Sequence, residues 1–211
     1  MHIKKIGHCC LRIDEQDVSV LIDPGSWTTA QNDEKGIHAI LITQEHADHL
    51  NVESIRKIIE NNPDVKIFTN TGVGEILKRE QISFELLEDG QETEVFGVKI
   101  KGLGRKHADI YPSIIPVDNT GYLIAGRFFY PGDALFVPKE SVEILALPVA
   151  GPWLTISQSI DYAKQINPKI CFPVHDGMLK ILGPFHSLPE KLLTPLGINF
   201  ISLTDGLDLN V

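Results

Sequence analysis

Residues 43–50 read TQEHADHL, and they directly follow the apolar run AILI at 39–42. A short apolar run bounded by polar residues is the pattern of a buried strand, so TQEHADHL is the loop that leaves a strand end. It carries His46, Asp48 and His49, with Gln44 two positions ahead of the first histidine. Neutral imidazole and carboxylate are ligands for zinc and neighbouring divalent ions. In an H-x-D-H loop, ligands two and three residues apart can face different ions, so one loop can serve two adjacent metals.

The same arrangement recurs along the chain. His107 follows VKIKGLG, Asp133 follows RFFYPG, and His175 follows KICFPV. Four apolar runs thus each deliver a His or Asp where the run ends. Loops at one edge of a rigid sheet are where binding groups concentrate, because the strands fix position while the loops free the side chains. The expectation is a convergent metal site built from His46, Asp48, His49, His107, Asp133 and His175, with Gln44 as an additional candidate. A carboxylate such as Asp133 can bridge a pair of ions.

Around these ends the pattern alternates between strands and helices. IKKI, CLRI and VSVLID predict an opening antiparallel meander closed by the turn Asp23-Pro24-Gly25. Asn51 predicts a helix cap, with Ile55, Ile58 and Ile59 on one face and a stop at Asn61-Asn62-Pro63. KIFTN reads as a strand, VGEILKRE as an amphipathic helix, and ISFELL and TEVFGVKIKGLG as strands. YLIAGRFFYPGD reads as a hairpin turning at Ala125-Gly126. EILALPVAGPW is a further strand and loop, SQSIDYAKQI a helix ended by Asn167-Pro168, and KICFPVHD a strand stopping at His175. No linker or internal repeat interrupts the alternation, and residues 1–211 are read as one α/β domain.

The 211 residues are 43% apolar and 22% charged, enough for one core without covalent staples. A formal charge of −9 argues against nucleic acid, whose binding needs an excess of Lys and Arg. No run approaches the ~20 apolar residues of a membrane span, and no signal segment opens the chain, so a cytoplasmic protein is expected. Cys9, Cys10 and Cys171 have no C-x-x-C spacing and suggest neither disulfide nor zinc knuckle. Cys9 and Cys10, read as strand neighbours, face opposite sides.

At Gln44–His49, His107, Gly132-Asp133 and Pro173-Val174-His175, in that order, the chain resembles the metallo-β-lactamase superfamily. That family's pattern is H-x-H-x-D-H after a buried strand, a distant His, a G-D pair, then a strand-terminal His. GHCCLRI and LIDPG look like the opening meander of its small lactonase-like branch. The resemblance implies a four-layer αββα sandwich with metals at one edge. It assigns His46 and His107 to a first metal, Asp48, His49 and His175 to a second, and Asp133 between them. Gln44 stands where the family has a third first-site histidine. Glu45 is an alternative oxygen donor, although its place in the motif normally points away. The implied cofactors are one or two divalent ions, zinc first, with manganese or iron as alternatives.

The function this resemblance implies is a metal-dependent hydrolase. A cation makes water ionise near neutral pH and polarises the bond under attack; Asp48 is the candidate catalytic group that orients this nucleophile. The implied substrate is an ester, lactone or phosphoester of a small metabolite, and the alternative is a non-catalytic metal-binding or regulatory module on the same fold. His8, Tyr111 and Trp153 are candidate substrate-facing residues. Asp176, Asp109 or backbone carbonyls are expected to hold the ligand imidazoles in their tautomers. His2, His38 and His186 read as structural or solvated. The expected partner is a small-molecule substrate, with no nucleic acid and no membrane, and a homo-oligomer is left open.

Overall fold

The computed structural model describes residues 1–211. The chain opens with β1 (His2–Gly7), β2 (Cys10–Glu15) and β3 (Val18–Ile22), an antiparallel meander. Next come β4 (Ala39–Ile42), α1 (Val52–Asn61), β5 (Lys66–Thr69), α2 (Thr71–Arg79) and β6 (Glu85–Leu86), whose strands continue the same sheet in parallel. The second half repeats this plan. β7 (Glu92–Val95), β8 (Val98–Leu103), β9 (Gly121–Ile124) and β10 (Phe128–Tyr130) pair antiparallel. β11 (Ile144–Pro148), α3 (Ile156–Ile166), β12 (Ile170–Val174), α4 (Gly183–Leu193) and β13 (Asn199–Phe200) then add three parallel strands. β14 (Asp208–Asn210) returns to pair with β1. The result is two seven-stranded sheets.

Strand alternation explains why the sheets stack. In β4, Ala39 and Leu41 face inward to a cluster shared with Ile3, Leu11, Ile13, Tyr122, Phe128 and Phe172 of both sheets. Ile40 and Ile42 face outward against Ile55 and Ile58 of α1 and Val73 and Leu77 of α2. On the other side, Phe129, Leu145 and Leu147 meet Ile160, Ala163 and Leu193 from α3 and α4. Three apolar layers therefore separate four structural layers, αββα, as expected. Two buried tyrosines tie the sheets together beneath one edge: Tyr122 donates to the Ile42 carbonyl (2.9 Å) and Tyr130 to the Cys9 carbonyl (3.0 Å).

Local signals account for most boundaries. The Asn51 side chain accepts from Ser54 N, and Asn70 caps α2 through Val73 N. Ala125 and Gly126, both at positive φ (53° and 65°), make the β9–β10 turn. Asn167 ends α3 in the left-handed region. One segment carries no expectation from the sequence: the stretch around His186 is helix α4. Pro184 sits in its first turn, where no N–H is needed. His186, Pro189 and Leu193 share its buried face.

Candidate metal centre

Strands β1, β3 and β4 run in one direction within the first sheet, and β8, β10, β11 and β12 run in one direction within the second. Side chains just past the carboxyl ends of both sets meet at one edge, as the His49–Asp133 and His175–Asp48 approaches of 3.2 and 3.3 Å show. There the strands release His8 and Cys9, Asp23, the 43–49 loop, His107, Asp133, Trp153 and His175.

The loop at 43–49 is shaped by the Asp23-Pro24-Gly25 turn. Asp23, fully buried, accepts from Thr43 N (2.8 Å), Thr43 Oγ1 (2.7 Å) and His49 Nδ1 (2.7 Å). The Gly25 backbone lies so close that a Cβ there would fall 1.9 Å from the Asp48 carbonyl oxygen. The G-D pair has a similar logic. Gly132 has φ of 64° and no room for a side chain beside Asn119, whose Oδ1 accepts from Asp133 N at 3.0 Å.

The six candidate ligands fall into two groups that share Asp133. One ligand atom each from Asp48, His49, Asp133 and His175 lie within 4.8 Å of one another, and so do those of His46, His107 and Asp133. In the first group His49 Nε2 is 3.2 Å from Asp133 Oδ1 and 3.7 Å from Asp48 Oδ2. His175 Nε2 is 3.1 Å from Asp133 Oδ2 and 3.3 Å from Asp48 Oδ2. In the second, His107 Nε2 is 3.3 Å from Asp133 Oδ2. Bonds of roughly 2.0–2.2 Å place neighbouring donors of one tetrahedral ion about 3.3–3.6 Å apart, so these spacings fit.

Tautomers sharpen the fit. The Asp23 carboxylate can only accept, so His49 carries its proton on Nδ1. The Ala108 carbonyl, 2.5 Å from His107 Nδ1, fixes that ring the same way. Each neutral ring then turns a bare Nε2 toward a carboxylate oxygen of Asp133, lone pair against lone pair. A proton on Nε2 or a metal ion between the two relieves this. His107 Nε2, Asp133 Oδ1 and His175 Nδ1 are indeed buried without hydrogen-bond partners, as are both amide atoms of Gln44. The donor set suits one or two metal ions.

Protonation follows the same charges. Burial alone would lower the His49 and His175 imidazoles, yet Asp133 with Cys9 raises both well above their ordinary value. Burial would raise Asp133, but His49 and His175 hold it well below the carboxylate range. Asp48 is lowered likewise, against burial, by His175 and His8. His46 is lowered by burial and by His107.

The remaining candidates divide between the site and its surroundings. His8 reaches the site: Gly177 N–H donates to its Nδ1 (3.0 Å), leaving the Nε2 proton for Asp48 Oδ2 (3.2 Å). Its ring stacks on Trp27 at 4.3 Å. Trp153 is buried and donates Nε1–H to Asp133 Oδ2 (3.1 Å), so it holds a candidate ligand as well as facing the cavity. Tyr111 is exposed and does not line the cavity. Asp176 does not hold a ligand imidazole; it accepts from buried Lys5 and lies 3.0 Å from His186 Nε2. Asp109 is exposed. The imidazole partners are Asp23 and a backbone carbonyl instead. Glu45 turns toward Gly72, away from the ligands.

Two residues escape a reading of the sequence. Asp23 looks like a turn residue, and Cys9 like a strand residue. His8 and Cys9 form the tight turn between β1 and β2, which aims Cys9 Sγ to 3.7 Å from His49 Nε2. Burial would raise this thiol, but His49, His175 and His8 bring it down to about 7. A histidine before Cys9 and an Asp-Pro-Gly after a strand are the available signals. Three site residues, His8, Asp23 and His175, adopt positive φ (50°, 46° and 58°), a conformation that L residues seldom take outside turns.

A cavity of about 310 Å³ opens over the ligands. It is lined by His46, Asp48, His107, Asp133 and His175 and walled by Trp27, Ile110, Pro152, Trp153 and Met178.

Comparison with known proteins agrees with this fold. The family model described as a β-lactamase superfamily domain matches residues 2–175. A protein of Mycobacterium tuberculosis is 32% identical over 184 residues, 85% of either chain. A protein named a metal-dependent hydrolase, from Methanocaldococcus jannaschii, is 29% identical over 184 residues, covering 80% of this chain and 81% of its own. The structure of a metallo hydrolase from Ignicoccus hospitalis superposes with a TM-score of 0.75 at 18% identity, over 100% of this chain and 98% of that one.

Proposed function

The chain belongs to the β-lactamase superfamily, and from that premise we propose that it is a metal-dependent hydrolase of an ester, lactone or phosphoester of a small metabolite, with His46, His107 and Asp133 at one ion and Asp48, His49, Asp133 and His175 at the other. The observation that carries the reading is the set of bare imidazole nitrogens facing the shared carboxylate of Asp133 at the floor of an open cavity. A relative carrying the name metal-dependent hydrolase supports it.

A divalent cation held there would supply Lewis acidity, lowering the pKa of water and polarising a carbonyl. The protein's own groups do the rest. Asp48 lines the cavity and stays ionised, so it accepts a hydrogen bond from the attacking water and orients it without keeping its proton. His8 fixes the Asp48 carboxylate through Nε2–H, and Gly177 N–H keeps His8 in that tautomer. Trp153 does the same for Asp133 while excluding water from its wall of the cavity.

The test is metal content and turnover together. Protein reconstituted with zinc, manganese or iron should hold one to two ions per chain and hydrolyse members of a panel of esters, lactones and phosphodiesters. Alanine at Asp48, His49, Asp133 or His175 should abolish turnover with the fold retained, whereas His2→Ala and His38→Ala should not. A metal-loaded protein inert to the whole panel would reverse the conclusion in favour of a non-catalytic metal-binding module.

A further inference from the structure

The geometry points to a substrate that is uncharged and apolar away from its reacting bond, an ester or lactone with an alkyl or aryl body, and not a phosphoester. This inference rests on the hydrolase reading and adds the substrate's chemistry. None of the residues lining the cavity is Lys or Arg. The cations that adjoin His107 in sequence are committed elsewhere: Arg105 pairs with Asp89 at 3.0 Å and Lys106 with Asp118 at 2.7 Å, and both line a separate polar hollow. Lys5 is buried against Asp176. Lys180 is exposed and does not line the cavity. Ions held by Asp48 and Asp133 would face only the reacting group, whereas charge elsewhere on a phosphoester is what proteins meet with Arg and Lys, and the cavity beyond those ligands offers neither.

The walls have the opposite character. Trp27, Ile110, Trp153 and Met178 surround the ligands. Trp27 is 49% exposed and Met178 40%, so apolar surface remains in water where a ligand would cover it. The neighbouring loops carry more of it: Tyr111, Ile114 and Ile115 follow Ile110, and Ile181 follows Met178, all exposed. Six of the chain's thirteen exposed large apolar side chains thus sit on the three loops that supply Trp27, Ile110 and Met178 to the cavity. Exposed apolar side chains lining a cavity beside a polar centre mark a binding site. At about 310 Å³ the cavity stands at the small end of ligand pockets, suited to a compact molecule.

The experiment measures kcat/KM for metal-reconstituted protein on 4-nitrophenyl esters from acetate to hexanoate, and on bis(4-nitrophenyl) phosphate. Each added methylene should raise kcat/KM about three- to fourfold, the gain for a buried CH₂, and the phosphate should fall below every ester. Trp27→Ala and Met178→Ser should lower the hexanoate-to-acetate ratio at least about fivefold, in keeping with the loss of more than one buried CH₂. Their metal content by elemental analysis should remain at the wild-type level. A flat chain-length series, or a phosphate preferred over the esters, overturns the inference. A second measurement does not depend on turnover. The chain's two tryptophans, Trp27 and Trp153, both line the cavity, so intrinsic fluorescence reports its occupancy. Quenching by N-hexylacetamide at a Kd at least tenfold below that of phenyl phosphate supports the apolar cavity even if every ester proves inert, in which case only the hydrolase reading fails. The reverse order of affinities refutes the apolar cavity whatever the catalytic result.

Discussion

Asp23→Asn tests whether tautomer control builds the site. The substitution is conservative for the backbone, because Asn tolerates the left-handed conformation of position 23 as well as Asp does. Asn Oδ1 can keep the bond from Thr43 N, and its amide can donate to Thr43 Oγ1. The partner that cannot adapt is His49. Its Nδ1–H would meet an N–H donor, so the ring must shift its proton to Nε2, where it donates to Asp133 Oδ1, 3.2 Å away. That arrangement suits the metal-free protein and blocks the ligand atom. A charge-assisted hydrogen bond is worth roughly 1.5–3 kcal/mol, and loss of an imidazole's outer partner costs about 10–100-fold in metal affinity. The two estimates agree, since tenfold is about 1.4 kcal/mol. Competition against a chromophoric chelator should therefore show the tighter site weakened by about 10–100-fold. At a pH where the ring is neutral, nitrogen chemical shifts of the imidazole should place the His49 proton on Nδ1 in the wild type and on Nε2 in the variant. Wild-type affinity with the proton still on Nδ1 would refute the reasoning.

Three further outcomes are expected from the same geometry. Gly25→Ala forces a Cβ to 1.9 Å from the Asp48 carbonyl oxygen and 2.7 Å from His49 N; overpacking of about 3 kcal/mol should lower Tm by about 6–12 °C and weaken metal binding, and an unchanged calorimetric melt would contradict it. In chelator, stability should fall as pH rises above about 6.5, because the raised His49 and His175 pKa values contribute fully below the unfolded value and are lost as pH passes through the folded ones. The depressed Asp48 and Asp133 act only at the acid end, where their contribution is lost as pH falls through their folded values; a metal-free Tm that climbs from pH 6.5 to 9 would count against the charge pattern. Gln44→His should tighten the weaker of two calorimetric binding events by more than about tenfold, and no change would mean that Gln44 is no handicap.

Much of this architecture is legible in the sequence because it is local. Asn51 and Asn70 cap their helices through backbone donors three residues on, and Ala125-Gly126 supplies the two positive φ values that a tight hairpin requires. The candidate ligands are legible because each sits just past an apolar run. What escapes depends on contacts across the chain. Asp23 meets His49 across 26 positions, and nothing in Asp-Pro-Gly distinguishes a turn from a turn that also holds an imidazole. Cys9 is misread because β1 ends at Gly7, so strand alternation does not apply to it. Helix α4 is hidden by Pro189, whose ring packs into the buried face. The expectation for Asp176 fails for a similar reason: Lys5, from the other end of the chain, claims it.

The two halves of the centre are not built alike, and the backbone shows it. His8, Asp23 and His175 all serve the half formed by Asp48, His49, Asp133 and His175, and each holds a positive φ that costs roughly 1–3 kcal/mol. The chain's other non-glycine residues at positive φ, such as Gln16, Ala125 and Asn167, lie in turns and caps remote from the ligands. Among His46, His107 and Gln44 there is none. Strain of this kind persists only where surrounding contacts over-determine it, and here those contacts converge on Asp48 and His49: Gly25 presses on their backbone, Asp23 holds one ring and His8 holds the carboxylate. The other half has a partly exposed imidazole in His46, a second in His107 fixed by a neighbouring carbonyl, and a buried amide with no partner in Gln44. An ion there gains fewer anionic donors and no preorganised strain to relieve. The half around His49 and His175 should therefore fill first, with Asp133 already oriented by Trp153 when the second ion arrives.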